Sequence, residues 1–204
     1  MENFLEKGWW QTGELDTVIQ QHPNIKNYMK ELLLEVNPSL IIEIGTSFGG
    51  LTVVLSELIK ELNLATELHS YDPHARGGVP ELAQHYGFTF IEKAVMVQET
   101  DDEIKNKIQN TPGRVLVLCD GGGKPYEFTT FSSALKPGDV IGGHDYADDR
   151  EDYDNRVAGK LWNWFELEYR HIENAIQDNN LQDLPNELTQ KGKEVVWLFK
   201  TKTS

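Results

Sequence analysis

Leu40-Ile-Ile-Glu-Ile-Gly45-Thr-Ser-Phe-Gly49-Gly50 decides the fold of this chain: a short apolar run with one acid inside it, then a turn with glycines at 45, 49 and 50. Such a run suits a strand buried on both faces. The glycines let the backbone turn sharply and approach a ligand closely, and a helix following the turn offers free amides at its positive end. Leu51, Val54, Leu55, Leu58, Ile59 and Leu62 then mark one helical face. Strand, glycine turn and helix together predict the first unit of an α/β sheet.

Working outward, the pattern repeats. Strands are expected at 67–71, ending on Asp72-Pro73, and at 88–95, 114–119 and 139–143, with a last one around Val195, Trp197 and Phe199. Helices are expected at 80–86, 101–109 and 126–135. A longer one is expected over 155–177, where Val157, Leu161, Phe165, Tyr169, Ile172 and Ile176 share a side. Strand and helix alternate at least five times, which predicts a doubly wound, mostly parallel sheet with helices on both faces. Residues 1–38 read differently: Trp9-Trp10, then Ile25, Tyr28, Met29, Leu32 and Leu33 at helical spacing, predict an N-terminal helical segment. No repeat or linker divides the 204 residues, so a single domain is expected, with 39–204 as its ligand-binding core.

Composition narrows the partners. Nineteen Lys plus Arg against 33 Asp plus Glu give a net charge of −14, which disfavours nucleic acid and anionic membrane surfaces. Five Trp, seven Tyr and eight Phe exclude a disordered acidic tail. The longest apolar stretch, 115–119, is far short of the roughly 20 residues of a membrane span. Residues 1–10 carry Glu2, Glu6 and Lys7 and lack the pattern of a secretory signal. With Cys119 as the single cysteine, a cytoplasmic protein is expected.

Sheets of this kind bind ligands beyond the carboxyl ends of their strands. The spacing Gly45-x-x-x-Gly49 departs from the Gly-x-Gly-x-x-Gly of dinucleotide sites, which counts against a nicotinamide or flavin cofactor. Taken alone, the turn could also be a tight connection without a ligand.

The form acid-x-Gly-x-x-x-Gly resembles the first motif of class I S-adenosylmethionine-dependent methyltransferases, whose Rossmann-like core matches the expected sheet. The resemblance implies that Glu43, Gly45, Thr46, Ser47 and Gly49 surround the methionine part of that cofactor. It also implies that Asp72, followed by Pro73, accepts hydrogen bonds from the ribose hydroxyls, and that 94–98 borders the adenine. Two later turns, Asp120-Gly-Gly-Gly-Lys124-Pro-Tyr126 and His144-Asp145-Tyr146, resemble those of cephalosporin-hydroxylase-like proteins, macrolide-sugar O-methyltransferases and, more distantly, catechol O-methyltransferase. The resemblance covers about residues 39–200 and lies in the order of four turns.

It implies that Asp120, at the cofactor's edge, and Asp145 hold a divalent cation, Mg²⁺ first and Mn²⁺ or Ca²⁺ as competitors, because hard oxygens suit hard ions. His144 is a third candidate ligand where relatives more often have an acid. Without a metal, Asp120 would touch only cofactor or solvent, and His144-Asp145 would cap the strand end. The relatives' general base stands three residues after the metal aspartate, where this chain has Gly123. Lys124 is then either a base whose pKa is pulled down or a surface lysine, and His144 is the alternative base. The acids from Asp148 to Asp154 read as a solvated loop or as part of an acceptor pocket. Trp162 and Trp164 read as helix packing, and Trp9 and Trp10 as packing or a lid.

The expected activity is cation-assisted O-methylation of a hydroxyl on a small molecule or sugar. Alternatives are a different reaction on the same fold and metal, as in the hydroxylase-named relatives, and a cofactor-binding protein without catalysis.

Overall fold

The computed structural model describes residues 9–204. Residues 1–8, including Glu2, Glu6, Lys7 and the start of the expected helical segment, lie outside the described residues. The chain enters as a β-hairpin, β1 (Trp10–Thr12) against β2 (Thr17–Ile19), followed by helix α1 (Ile25–Val36). The alternation of units then begins: β3 (Leu40–Ile44), α2 (Gly50–Glu61), β4 (Glu67–Asp72), α3 (Val79–Tyr86), β5 (Thr89–Glu92), α4 (Gln98–Asn110), β6 (Val115–Cys119), α5 (Lys124–Ser132) and β7 (Val140–Gly143). Two short strands, β8 (Tyr146–Ala147) and β9 (Leu167–Glu168), pair beside it, and α6 (Tyr169–Asp178), β10 (Leu181–Asp183), α7 (Asn186–Glu194) and β11 (Leu198–Lys202) complete the chain.

The central sheet has the order β10-β11-β7-β6-β3-β4-β5. The five strands from β7 to β5 are parallel, whereas β11 runs antiparallel to β7 and β10 antiparallel to β11. The chain winds outward from β3 through β4 to β5 and then returns to lay β6 on the other side of β3. That reversal leaves a crevice at the carboxyl ends of β3 and β6, where open α/β sheets take their ligands. The register brings the strand ends level: Ile44 pairs with both Tyr71 and Cys119, and Cys119 pairs with Gly143.

Both faces are dry, which explains the continuous apolar strands. Ile41, Leu116 and Leu118 point into one core with Met29, Leu32, Val54 and Leu58 of α1 and α2. Ile42, Ile44, Val115 and Val117 point into the other with Ile104, Phe128, Phe131 and Ile172 of α4, α5 and α6. Each fully buried aliphatic side chain contributes about 1.5–3 kcal/mol, so two such layers fix the strand order. None of the described helices is long and apolar enough to cross a membrane.

Three expectations need correction. The N-terminal helical segment holds only for Ile25–Val36, because Gly13 at φ +71° turns the chain and Thr17 and Ile19 bury one side of a strand. The expected helix over 155–177 forms only at Tyr169–Asp178. Ahead of it lies a π-helical turn at Tyr153–Val157, then Gly159 at φ +67°, and the backbone amides of Glu166 and Leu167 bond to the Asp145 carbonyl instead of to a helix. The last strand begins at Leu198, since the amides of Val195 and Trp197 both cap the end of α7 on the Gly192 carbonyl.

Candidate active site

The turns after β3, β4, β6 and β7 surround a cleft of about 270 Å³. Its floor is set by Gly45, whose φ is +95° and where a Cβ would stand 2.3 Å from the carbonyl oxygen of Asp120. Only glycine lets the turns after β3 and β6 approach so closely. Ser47 donates its backbone N–H to Asp72 Oδ2 at 2.9 Å, and His74 N–H donates to Oδ1 at 3.0 Å. Asp72 is thereby aimed into the cleft, and each oxygen keeps a lone pair for a hydroxyl. Gly45, Thr46, Ser47, Asp72 and Asp120 all line the cavity.

Glu43 does not. Its side chain lies buried beneath the turn, accepting from Thr52 Oγ1 and Ser70 Oγ at 2.5 Å each, and Ser70 in turn meets Thr46 Oγ1 at 2.6 Å. Glu43 therefore braces the glycine turn from below. Gly49, at φ +83°, caps the start of α2, and Pro73 is exposed; neither lines the cleft, nor does 94–98. Burial pushes the Glu43 carboxyl up to about 8, against the pull of the two hydroxyls. The folded state thus holds this proton more tightly than the unfolded chain, whose carboxyl titrates near 4.5. On this account stability falls as pH rises from about 4.5 to 8, by at most about 1.4 kcal/mol per pH unit. Glu43→Gln is expected to remove that slope, read from urea midpoints at several pH values. An unchanged slope would show that Glu43 is already ionised in the fold.

The other end of the cleft is a charged cage. Asp120 closes β6, while His144 and Asp145 follow β7, and one ligand atom from each lies within 4.8 Å of the others. His144 Nδ1 faces Asp120 Oδ1 at 2.9 Å and Asp145 Oδ1 at 3.5 Å, with its ring stacked on Trp197 at a centroid distance of 5.0 Å. Burial would lower the His144 pKa, but Asp145 and Asp120 outweigh it and the pKa is raised. Burial likewise opposes the charge of Asp145, yet His144 and Lys124 hold its pKa below the usual value. Asp145 has φ +56° and accepts from Trp162 Nε1 at 2.5 Å.

Lys124, the first residue of α5, fits neither expectation. It is 5% exposed, not a surface lysine, and its Nζ lies 2.9 Å from Asp145 Oδ2, 2.8 Å from Glu166 Oε2, 3.1 Å from the Gly121 carbonyl and 3.7 Å from Asp120 Oδ1. Burial works against its charge, but Asp120 and Asp145 outweigh it and the pKa rises, opposite to what a general base needs. The loop between Asp120 and Lys124 is pinned by Glu127, whose buried carboxyl accepts from Gly121 N–H and Gly123 N–H at 3.1 and 3.0 Å. Burial pushes that carboxyl up to about 7.

Two carboxylates and an imidazole nitrogen converging at one point fit a divalent cation, with oxygen donors favouring Mg²⁺ or Mn²⁺ and the nitrogen admitting softer ions. The acids of 148–154 are engaged elsewhere: Asp148 pairs with Lys193, Asp152 with Arg156 and Asp154 with Arg150. Trp162 packs with Tyr153, Val157 and Val196 as expected, though not on a helix, and also lines the cleft with Trp164 and Glu166, while Trp10 donates Nε1 to the Gln21 carbonyl instead of forming a lid. Gln20 and Gln21, which no sequence signal singled out, also line it.

The Gly45–Ser47 turn and Asp72 share one cleft with the Asp120, His144 and Asp145 cluster, on a sheet with the class I methyltransferase fold. The family model for Rhamnosyl O-methyltransferase/CmcI matches residues 7–139, and the chain belongs to that family. The rhamnosyl O-methyltransferase of Mycobacterium bovis (strain BCG / Pasteur 1173P2) is 28% identical over 98 residues, 46% of this chain and 38% of that protein. The same figures hold for the rhamnosyl O-methyltransferase of Mycobacterium tuberculosis (strain ATCC 25618 / H37Rv), so the match spans 38% of the length of these relatives. The Mg-SAM structure of CmcI superposes with a TM-score of 0.65 at 14% identity, over 93% of this chain and 76% of that one. The MycE methyltransferase from the mycinamycin biosynthetic pathway, in complex with Mg, SAH and mycinamycin VI, gives 0.53 at 15% identity, over 87% and 49%. At these identities the likeness is one of fold.

Proposed function

We propose that this chain is an S-adenosylmethionine-dependent, divalent-cation-assisted O-methyltransferase acting on a hydroxyl of a sugar or sugar-bearing small molecule. One observation carries the reading: a single cleft joins the Gly45–Ser47 turn and Asp72 to the convergent Asp120, His144 and Asp145. S-adenosylmethionine supplies a sulfonium methyl that an oxygen nucleophile takes in line, leaving the electron pair on sulfur. A divalent cation would be held by Asp120, His144 and Asp145 and would supply Lewis acidity that lowers the pKa of the acceptor hydroxyl.

The chain's own residues divide the work. Asp72 accepts the ribose hydroxyls, and Gly45 lets the turns after β3 and β6 close together beneath the cofactor. Trp162, Trp164 and Glu166 line the cleft next to Lys124 and Asp145, which suits a sugar ring lying on an indole with a hydroxyl donating to Glu166. Lys124, whose pKa Asp120 and Asp145 raise, pairs with Asp145, and His144 Nδ1 faces Asp120. As the cage stands, Lys124 is not set to take a proton. That observation favours, as a second reading, a protein that binds the cofactor without turnover. Lone Cys119 is buried and free of disulfides, and we propose a cytoplasmic setting.

Calorimetry with S-adenosylmethionine, followed by transfer of a labelled methyl to a panel of rhamnosyl glycosides with and without chelator, tests the proposal. Cofactor binding and chelator-sensitive labelling are the expected results. Failure to bind the cofactor would sink both readings, whereas binding without transfer to any glycoside would favour the second.

A further inference from the structure

We propose that Gln21 is a positioning residue that decides which oxygen of Asp120 faces the cation; this rests on the cation-assisted reading above. Gln21 reaches the cleft because β2 lies directly on the start of α2. At Gly50 a Cβ would stand 2.4 Å from both the Val18 carbonyl oxygen and Ile19 Cβ, so any side chain there would lift the hairpin away. The chain leaves β2 through Gln20, which accepts from Ser47 Oγ at 3.2 Å, and Gln21, whose carbonyl accepts from Trp10 Nε1 at 2.8 Å.

The side chain of Gln21 is 2% exposed, and its orientation is dictated by chemistry. Trp197 Nε1 lies 2.8 Å from Gln21 Oε1, and an indole N–H can only donate, so the amide oxygen must face it. The amide nitrogen is thereby turned into the cage, where it donates to Asp120 Oδ2 at 2.6 Å and sits 3.3 Å from His144 Nδ1. With Oδ2 engaged, Oδ1 is the Asp120 oxygen presented to the other two ligands, 2.9 Å from His144 Nδ1. A hydrogen-bonded partner that fixes a ligand's orientation typically accounts for 10–100-fold in metal affinity.

The test uses Mn²⁺ as the probe, titrated into the intact chain by calorimetry. Gln21→Met keeps the volume and removes the donor; it is expected to weaken Mn²⁺ binding by roughly 10–100-fold. Trp197→Phe keeps a ring against His144 but frees the amide to rotate, so it too should weaken Mn²⁺ binding, and the double variant should be no weaker than Gln21→Met alone. A Gln21 that only filled space would shift the melting temperature and leave Mn²⁺ affinity within twofold of wild type, which would overturn the inference. Independent, additive losses in the two single variants would overturn it as well. A wild-type chain that binds no Mn²⁺ would instead remove the cation-assisted reading, and this inference with it, an outcome distinct from equal binding by wild type and variant.

Discussion

Asp145→Asn is expected to lower methyl transfer at least about a hundredfold while the sheet stays folded. Asparagine keeps the shape of the side chain and can still accept from Trp162 Nε1, but it brings no negative charge to the cage. Where the carboxylate accepts from Lys124 Nζ at 2.9 Å, the amide would present either a weaker acceptor or a competing donor. Asp120→Asn should behave alike, because that carboxylate is the one His144 and Gln21 both address. Labelled-methyl transfer and circular dichroism are the measurements. Full transfer by both variants in a chelator would discard the cation mechanism, whatever their stability.

Lys124→Met is expected to cost stability rather than only rate. The ammonium offsets Asp120, Asp145 and Glu166, and removing one partner of a buried ionic group leaves the rest uncompensated, at about 3–5 kcal/mol. Glu166 is nearly half exposed, with 46% of its side chain accessible, so solvent screens its share and the lower end applies. For a chain of about this size that corresponds to a fall in Tm of roughly 6–12 °C. Millimolar Mg²⁺ should restore more of the Tm in the variant than it adds to wild type, since without the ammonium against Asp120 and Asp145 the cation binds more tightly, and stabilisation grows with the logarithm of affinity. Equal Mg²⁺ shifts in both proteins would mean that lysine and cation do not share the cage.

Much of this was legible in the sequence because buried parallel strands leave a plain signature. Leu40–Ile44 reads as a two-sided strand and 114–119 as a strand, and both are buried throughout, the second over Val115–Cys119. Their order carries Asp72, Asp120, His144 and Asp145 to one edge, so the convergence of the acids follows from topology. The hairpin at Trp10–Ile19 was not legible, since three-residue strands are too short for a period to show. The spacing of Val157, Leu161, Phe165 and Tyr169 is truly helical, but Gly159 and the claim of the Asp145 carbonyl on the amides at 166 and 167 override it. That override brings Trp164, and one side of the packed Trp162, to the cleft wall. The burial of Lys124 among Asp120, Asp145 and Glu166, the last 42 residues away, has no local signal, and Gln21 is a neutral residue in a polar run, Gln20-Gln21-His22, with nothing in its type to mark it.

The hydrogen bond from Trp197 to Gln21 spans 176 residues of chain. Contacts of such long range carry a loop-closure cost that local contacts do not, so this one is expected to be made late in folding. The glycine turn and Asp72 come from neighbouring parallel strands, but the oriented form of Asp120 waits for the segment before β11 to dock. In refolding experiments, recovery of high-affinity Mn²⁺ binding should therefore trail recovery of helix and sheet, making the ion a reporter on the last stage of assembly.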